Sequence, residues 1–143
     1  ITDELFTAER GQGAFLNDRR LRVAARTRLE DAVVTCGIPH LGRGDHELFQ
    51  KEITRVQAKA AGIRRFGAAS LDLAFIAAGR CDAYWERGLE PWDVAAGILL
   101  VREAGGRVEE VDGDPEAHKT GNILAANDAL FMLLQKELKL PKR

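Results

Sequence analysis

The 143-residue sequence predicts an α/β protein with a mixed, partly parallel sheet and helices on its faces. Short apolar runs of strand length alternate with longer segments in which apolar residues recur at helical spacing, a pattern typical of strands joined by helices. The N-terminal stretch departs from this alternation, since it contains two strand-like runs with no helix between them. We therefore expect a β-hairpin first and an α/β domain after it.

The hairpin is predicted from "TDELFTAERGQGAFLNDRRLRV", where two strand-like runs flank a turn that contains glycine. A lone hairpin cannot bury its apolar face, and the later sequence offers no further strands for its sheet. The sequence also starts at Ile1, without a methionine. We expect residues 1–25 to belong to the sheet of an N-terminal half absent from this sequence, and residues 26–143 to form the C-terminal α/β domain of the longer protein.

Each later element has its own signal in the sequence. The β-branched run "LEDAVVTCG", residues 29–37, predicts a buried strand. Asp45 precedes a segment with apolar residues at helical spacing, and we expect it to cap a helix over 46–61. The same reasoning predicts strands at 63–66, 81–88, 107–111 and 122–127, and helices at 69–79, 92–104 and 128–138.

Composition argues against several classes of function. The net charge of −1, with 30% charged residues, gives no case for binding nucleic acid or a membrane surface through bulk charge. No apolar run approaches the ~20 residues of a membrane span, and the polar N-terminus does not resemble a signal peptide. Cys36 and Cys81 lie singly in apolar runs, as expected of reduced core residues in a cytoplasmic protein.

Two junctions between a strand and a helix carry the residues of interest. In "RRFGAASLD" a predicted strand is followed by Gly67, Ala68 and Ala69, whose small size would let a ligand approach the backbone. In "AYWERGLEPWD" the next strand ends at Glu86, and a short loop leads to Asp93 in the first turn of a helix. If the two strands are parallel, both junctions lie at the edge of the sheet where α/β proteins bind ligands.

Asp93 is in an unusual place for an acid. The segment from Trp92 to Val101 is apolar on every face, so we expect its helix to lie between two layers and Asp93 to be partly desolvated. An uncompensated buried charge costs several kcal/mol, and the helix dipole offsets only ~0.3–1 kcal/mol. Asp93 is therefore either a structural cap that pairs with a base such as Arg87, or a ligand of a metal ion or substrate.

The stretch "GLEPWDVAAGILLVREAGGRV" resembles the C-terminal signature of the inositol monophosphatase family, and "RRFGAASLDLAFIAAGRCDAYWERG" and "DELFTAERGQGAFLND" resemble its preceding segment and its hairpin. The resemblance implies that Asp93 coordinates a catalytic Mg²⁺ and lies near a substrate hydroxyl. It further implies that Glu86 hydrogen-bonds the polyol ring, and that the backbone at Gly67, Ala68 and Ala69 lines the same pocket. Mg²⁺ favours oxygen ligands of this kind.

The sequence also departs from the family. The Asp-Pro-(Ile/Leu)-Asp-Gly-Thr loop and an upstream glutamate, which supply most metal ligands and position the water, do not occur here, and "VDGDPEA" is not a copy of that loop. We therefore place no catalytic residue within this chain and expect the chain alone to be inactive. Ala68 stands where relatives often carry Ser or Thr, so one hydrogen bond of the pocket is missing.

The resemblance implies that the full-length protein is a cytoplasmic, homodimeric phosphatase that hydrolyses inositol monophosphate with water activated by Mg²⁺. Two alternatives stay open. One is a related phosphatase that acts on sugar or nucleotide phosphates. The other is a regulatory binding protein built on the phosphatase scaffold, because a fold alone does not establish an activity.

Overall fold

The hairpin predicted at the N-terminus forms a small antiparallel sheet. In the computed structural model, which describes residues 2–139, this sheet contains the strands β1 (Phe6–Glu9), β2 (Gly13–Leu16) and the short β3 (Arg19–Arg20) in sequence order. The hairpin is therefore confirmed, with one short strand more than the sequence indicated. Its assignment to a separate domain over residues 1–25 stays a prediction, and Ile1 lies outside the described residues.

A five-stranded mixed sheet forms the centre of the protein, as predicted. Its strands are β4 (Val33–Cys36), β5 (Gly62–Arg64), β6 (Ala83–Glu86), β7 (Arg107–Glu110) and β8 (Ile123–Ala126). Their spatial order is β5-β4-β6-β8-β7. The strand β4 pairs in parallel with both β5 and β6, whereas β8 runs antiparallel to β6 and β7. The three parallel strands are the part of the sheet that positions the site.

Helices cover both faces of this sheet. They are α1 (His46–Gln57), α2 (Ala69–Ala77), α3 (Pro91–Glu103) and α4 (Asp128–Leu138), and a single 3-10 turn spans Leu29–Asp31. Alternate residues of β8 point to opposite faces: Ile123 packs in the core under α2 and α3, and Leu124 packs in the core under α1 and α4. None of the helices described within residues 2–139 has the length and apolar character needed to cross a membrane.

The helix α3 contacts α2 and β7 and also the hairpin strands β1 and β2, as expected of a helix between two layers, but part of its surface is exposed. Val94, Ile98 and Val101 are buried, but Trp92 is 78% exposed and the neighbouring alanines are also exposed. The buried side packs tightly on α2, because a methyl group at Gly97 would overlap the side chain of Leu73. The sequence could not reveal the exposed face, because small apolar residues line both sides of this helix.

Candidate active site

Three strand ends meet at one edge of the central sheet. Because β4 is parallel to both β5 and β6, these strands finish at the same edge, where open α/β sheets bind ligands. The two junctions identified in the sequence follow β5 and β6, so their common edge is confirmed. The end of β4, which no motif in the sequence had marked, lies between the two junctions and leads through Gly37 into a loop.

A cavity of about 160 Å³ opens at this edge, beside the ends of β4 and β6. Both carboxylates singled out from the sequence, Glu86 and Asp93, line it. The opposite wall is the loop that connects β4 to α1. The other lining residues are Gly37, Ile38, Pro39, His40, Arg43, Gly44, Asp45, Phe49, Glu52, Trp85, Arg87, Gly88 and Leu89.

Gly37 makes room for the Glu86 side chain. A methyl group on Gly37 would overlap the carboxyl carbon and both carboxylate oxygens of Glu86. Gly37 directly follows β4 and Glu86 ends the neighbouring strand β6, and the Gly37 N–H donates a 3.1 Å hydrogen bond to the carbonyl oxygen of Trp85. The absence of a side chain at Gly37 therefore determines where the Glu86 carboxylate lies.

Glu86 is half-buried and accepts a hydrogen bond from Tyr84, two residues earlier on the same face of β6. The Tyr84 hydroxyl lies 2.5 Å from Oε2 of Glu86. Burial raises the pKa of Glu86; the bond from Tyr84 opposes this shift, and the negative charge of Asp93 adds to it. Burial and the neighbouring carboxylate also raise the pKa of Tyr84, so its hydroxyl keeps the proton that it donates.

Asp93 is the third residue of α3 and lies in its first turn, as predicted. Its backbone N–H donates to the carbonyl oxygen of Glu90 at 3.0 Å, and its Oδ2 accepts from the Glu90 N–H at 3.1 Å. The proposed pairing with Arg87 is wrong, because Arg87 pairs with Glu52. Among the ion pairs of residues 2–139, none includes Asp93. It therefore has one capping bond and no basic partner within that range.

The other predicted pocket residues lie at the neighbouring junction, after β5. Gly67 has a φ of 84°, a conformation that favours glycine, and it lies with Ala68 at the exposed start of α2, whereas Ala69 is buried. None of the three lines the cavity beside Glu86. Arg65 connects the two places, since its guanidinium lies beside Gly67 and its charge lowers the pKa of Glu86.

A buried carboxylate holds the far side of the β6 end. Glu52, on α1, is fully buried, and its Oε1 accepts from Nε and Nη2 of Arg87 at 2.8 and 2.5 Å. Its Oε2 accepts from the Trp85 indole N–H at 3.2 Å. All three side chains line the cavity. Both oxygens of Glu52 are therefore engaged by the two chain neighbours of Glu86.

A second buried carboxylate, Asp72, lies beneath the site on α2. It is 1% exposed, and neither its oxygens nor the hydroxyl of buried Thr35 make a well-formed hydrogen bond within the described residues. Burial raises the pKa of Asp72 to about 6, and the charge of Glu86 adds to the shift. The nearby Thr35 hydroxyl and Arg65 lower it. The site thus has a carboxyl group beneath it whose ionisation is disfavoured.

The donor set at the cavity is compatible with Mg²⁺ but incomplete. Asp93 offers a carboxylate with no basic partner among residues 2–139, and hard divalent cations prefer such oxygens. The same residues contain no group of three or more His, Cys, Asp or Glu side chains placed to hold a metal ion. Asp93 is therefore one candidate ligand, and residues 2–139 do not bring together the three or more such side chains of a complete site.

Several residues of the site were missed by sequence analysis. Gly37, Glu52 and the loop between β4 and α1 line the cavity, yet the loop appeared to be an ordinary connection. Glu52 had a detectable signal, because it is an acid on the apolar face of α1, between Phe49 and Val56. Gly37 had no such signal in the sequence, because its contact with Glu86 depends on the register between β4 and β6.

Together, the three-layer fold and the carboxylate-lined cavity at parallel strand ends define an α/β protein with a small-molecule site. The model of the inositol monophosphatase family matches residues 1–140, and the chain belongs to that family. The α/β fold with a mixed sheet, which was expected from the sequence, is confirmed by the structure.

Individual relatives agree with this assignment. A protein of Mesorhizobium japonicum named inositol-1-monophosphatase is 54% identical over 139 residues, covering 97% of this chain and 52% of the relative. A Pseudomonas aeruginosa protein named Nus factor SuhB is 48% identical, covering 94% of this chain and 50% of the relative. The crystal structure of extragenic suppressor protein suhB from Bartonella henselae has a TM-score of 0.93 and 53% identity, covering 98% of this chain and 54% of that one. The chain thus spans about half the length of its relatives.

Proposed function

We propose that the full-length protein containing this chain hydrolyses a polyol phosphate, with inositol monophosphate as its preferred substrate, in a Mg²⁺-dependent reaction. The observation that carries this proposal is the placement of Glu86 and Asp93, from two different elements, in one cavity at the ends of parallel strands. The relative named inositol-1-monophosphatase supports the same substrate. Because the chain spans about half of that relative, the activity is proposed for the full-length protein.

In this proposal Glu86 recognises the alcohol part of the substrate. The Tyr84 hydroxyl occupies one side of the Glu86 carboxylate, which leaves acceptor capacity for a substrate hydroxyl. A site built to bond a hydroxyl rejects analogues that lack it, because its own polar group is then left unpaired. Glu86 would therefore contribute more to the choice of substrate than to the chemical step.

Asp93 would hold the metal ion, and the exposed backbone at Gly67 and Ala68 would approach the substrate from the next junction. Mg²⁺, when bound, can activate water and stabilise the leaving oxygen in phosphate ester hydrolysis. Asp93 is suited to holding it because its capping bond fixes the carboxylate and residues 2–139 supply no cation that competes for it. The remaining ligands would come from the part of the full-length protein that this chain does not include.

The direct test is phosphate release by the full-length protein. We expect release from inositol 1-phosphate with Mg²⁺, loss of activity with EDTA, and recovery when Mg²⁺ is restored. A sugar phosphate, a nucleotide phosphate and p-nitrophenyl phosphate serve as competing substrates. A higher kcat/KM for the sugar or nucleotide phosphate would assign the related phosphatase activity, and no release from any of the four would contradict the proposal.

A regulatory binding function is a second candidate, because a 48% identical relative is named a Nus factor. A partner-binding role needs the surface of the protein but not its metal site. If the function is regulatory, Asp93→Asn in the full-length protein should restore the phenotype of a deletion strain as well as the wild type does. If the function is hydrolysis, the same variant should fail to restore it.

We further propose that the enzyme works in the cytoplasm as a homodimer. Cys36 and Cys81 are both buried free thiols, as expected in a reducing compartment. The dimer is inferred from the resemblance to the family. Sedimentation of the full-length protein tests it, and a monomer at micromolar concentration would contradict it.

A further inference from the structure

We propose that Glu52 is a positioning residue that fixes the Glu86 carboxylate by holding its two chain neighbours, Trp85 and Arg87. This inference rests on the proposed function, since it assigns Glu86 to substrate recognition. Glu52 itself approaches from α1, on the opposite face of the sheet from Tyr84. It therefore acts on Glu86 through the strand and makes no hydrogen bond to it among the described residues.

The alternation of side chains along β6 connects these residues. Tyr84 packs in the core under α2 and α3, and Trp85 packs in the core under α1 and α4. Because successive side chains of a strand point to opposite faces, holding residues 85 and 87 from one face determines where residue 86 points on the other. A rotation of the strand end that moved Glu86 would also break the hydrogen bonds of Glu52 to Trp85 and Arg87.

The strand end needs such support because the chain leaves the sheet there. The strand β6 ends at Glu86, and Gly88 follows with a φ of 72°. Two further contacts hold the departing chain: the Gly88 N–H donates to Oδ1 of Asn122 at 3.0 Å, and Arg43 donates to the Gly88 carbonyl oxygen at 2.8 Å. Glu52 is the buried member of this set.

Stability alone does not account for the buried pair of Glu52 and Arg87. Replacing a buried ion pair with apolar residues is often neutral or stabilising, because desolvation offsets the attraction. The geometry instead fixes the position of the strand end. One oxygen of Glu52 accepts from Trp85, and the other accepts from two nitrogens of the planar Arg87 guanidinium, an arrangement that lysine cannot offer. Glu52 and Arg87 both line the cavity, so the fixed geometry lies where the substrate is proposed to bind.

The chain offers a matched control in Glu137. It is also a buried carboxylate, 5% exposed, and it pairs with Lys59 at 2.8 Å and Arg55 at 3.6 Å, near the same helix α1. Glu137 does not line the cavity beside Glu86. Both Glu52→Gln and Glu137→Gln remove the charge of a buried carboxylate that pairs with a basic side chain. A difference between the two variants in substrate choice therefore reports the position of the carboxylate and not the loss of a buried charge.

The experiment measures kinetics and amide hydrogen exchange of the full-length protein and its variants. For Glu52→Gln we expect KM for inositol 1-phosphate to rise about tenfold, kcat to change less than about threefold, and KM for p-nitrophenyl phosphate to stay unchanged. Exchange should accelerate across residues 85–89. Arg87→Lys should give an intermediate effect, and Glu137→Gln should leave both KM values and this segment unchanged.

A double variant, Glu52→Met with Arg87→Met, guards against misfolding because it leaves no unpaired buried charge. It should fold and reproduce the change in KM. Faster exchange with an unchanged KM ratio would overturn the role of Glu52 in substrate positioning. If the wild type releases no phosphate, the proposed function fails. Hydrogen exchange then still tests whether Glu52 fixes the strand end, and an unchanged exchange rate at residues 85–89 in Glu52→Gln would overturn that role.

Discussion

The Glu86 carboxylate occupies the space where Gly37 would carry a side chain. Gly37 follows β4 and Glu86 ends β6, and these two strands are parallel neighbours. The space that a side chain would need at the end of one strand is therefore filled by the side chain at the end of the other. The Tyr84 hydroxyl then fixes one oxygen of Glu86 at 2.5 Å. The orientation of this acid is therefore determined by an absent side chain on one strand and by a buried phenol on its own strand.

Gly37→Ala should impair substrate recognition without a large loss of stability. The added methyl group cannot coexist with the present position of Glu86, so the carboxylate has to move. Gly37 lacks the positive φ that would strain an alanine, and the main consequence should be a misplaced acid. We expect KM for inositol 1-phosphate to rise several-fold in the full-length protein. An unchanged KM would show that Glu86 need not lie where the structure places it.

Glu86→Gln should reduce the preference for inositol 1-phosphate over p-nitrophenyl phosphate. Glutamine keeps the shape but is a weaker acceptor than a charged carboxylate, so the loss should fall on the substrate that offers hydroxyls. We expect the ratio of the two kcat/KM values to drop about tenfold. Equal losses on both substrates would instead indicate a metal-binding or folding role.

The main features of the site were predictable because they depend on local order along the chain. Strand, loop and helix succeed one another around Glu86 and Asp93, and parallel pairing brings their junctions to one edge. Arg87 was considered as a base that could pair with Asp93 because it lies close in sequence, but it follows the end of β6 and its side chain reaches Glu52 on the opposite face of the sheet from Tyr84. Pairing of this kind depends on which face each residue takes, and that follows from the exact strand register.

Asp72→Asn should stabilise the protein at neutral pH. Burial raises the pKa of Asp72 to about 6, above the ~3.9 of an unfolded aspartate. The folded state therefore binds its proton more tightly, and the wild type loses stability as the pH rises from about 4 to about 6. Asparagine has no such dependence. The difference in unfolding free energy between the wild type and Asp72→Asn should change by about 2 kcal/mol between pH 4 and 7. Chemical denaturation of both proteins at the two pH values measures this change, and a difference that does not depend on pH would contradict the prediction.

The isolated 143-residue chain should bind Mg²⁺ weakly and release no phosphate from inositol 1-phosphate. It offers Asp93 but no group of three candidate ligands among residues 2–139, and Mg²⁺ usually needs carboxylates together with substrate phosphate and water. Calorimetry with Mg²⁺ and a phosphate assay of the chain alone check both statements. Turnover of ~1–10³ per second, as in ordinary enzymes, would show that the chain contains a complete site.

Asp93→Asn should abolish activity in the full-length protein while leaving the fold intact. Asparagine can still accept the bond from the Glu90 N–H that Oδ2 of Asp93 accepts now, but it removes the charge that a Mg²⁺ ligand needs. We expect activity to fall by orders of magnitude and the Mg²⁺ dependence to shift to higher concentration. The metal-free melting temperature should stay the same or rise, because the repulsion between Asp93 and Glu86 is relieved. Asp128→Asn, in the first turn of α4, is the matched control and should keep full activity. If Asp93→Asn instead lowers the metal-free melting temperature sharply while its folded fraction keeps normal activity, Asp93 is a structural cap and not a metal ligand.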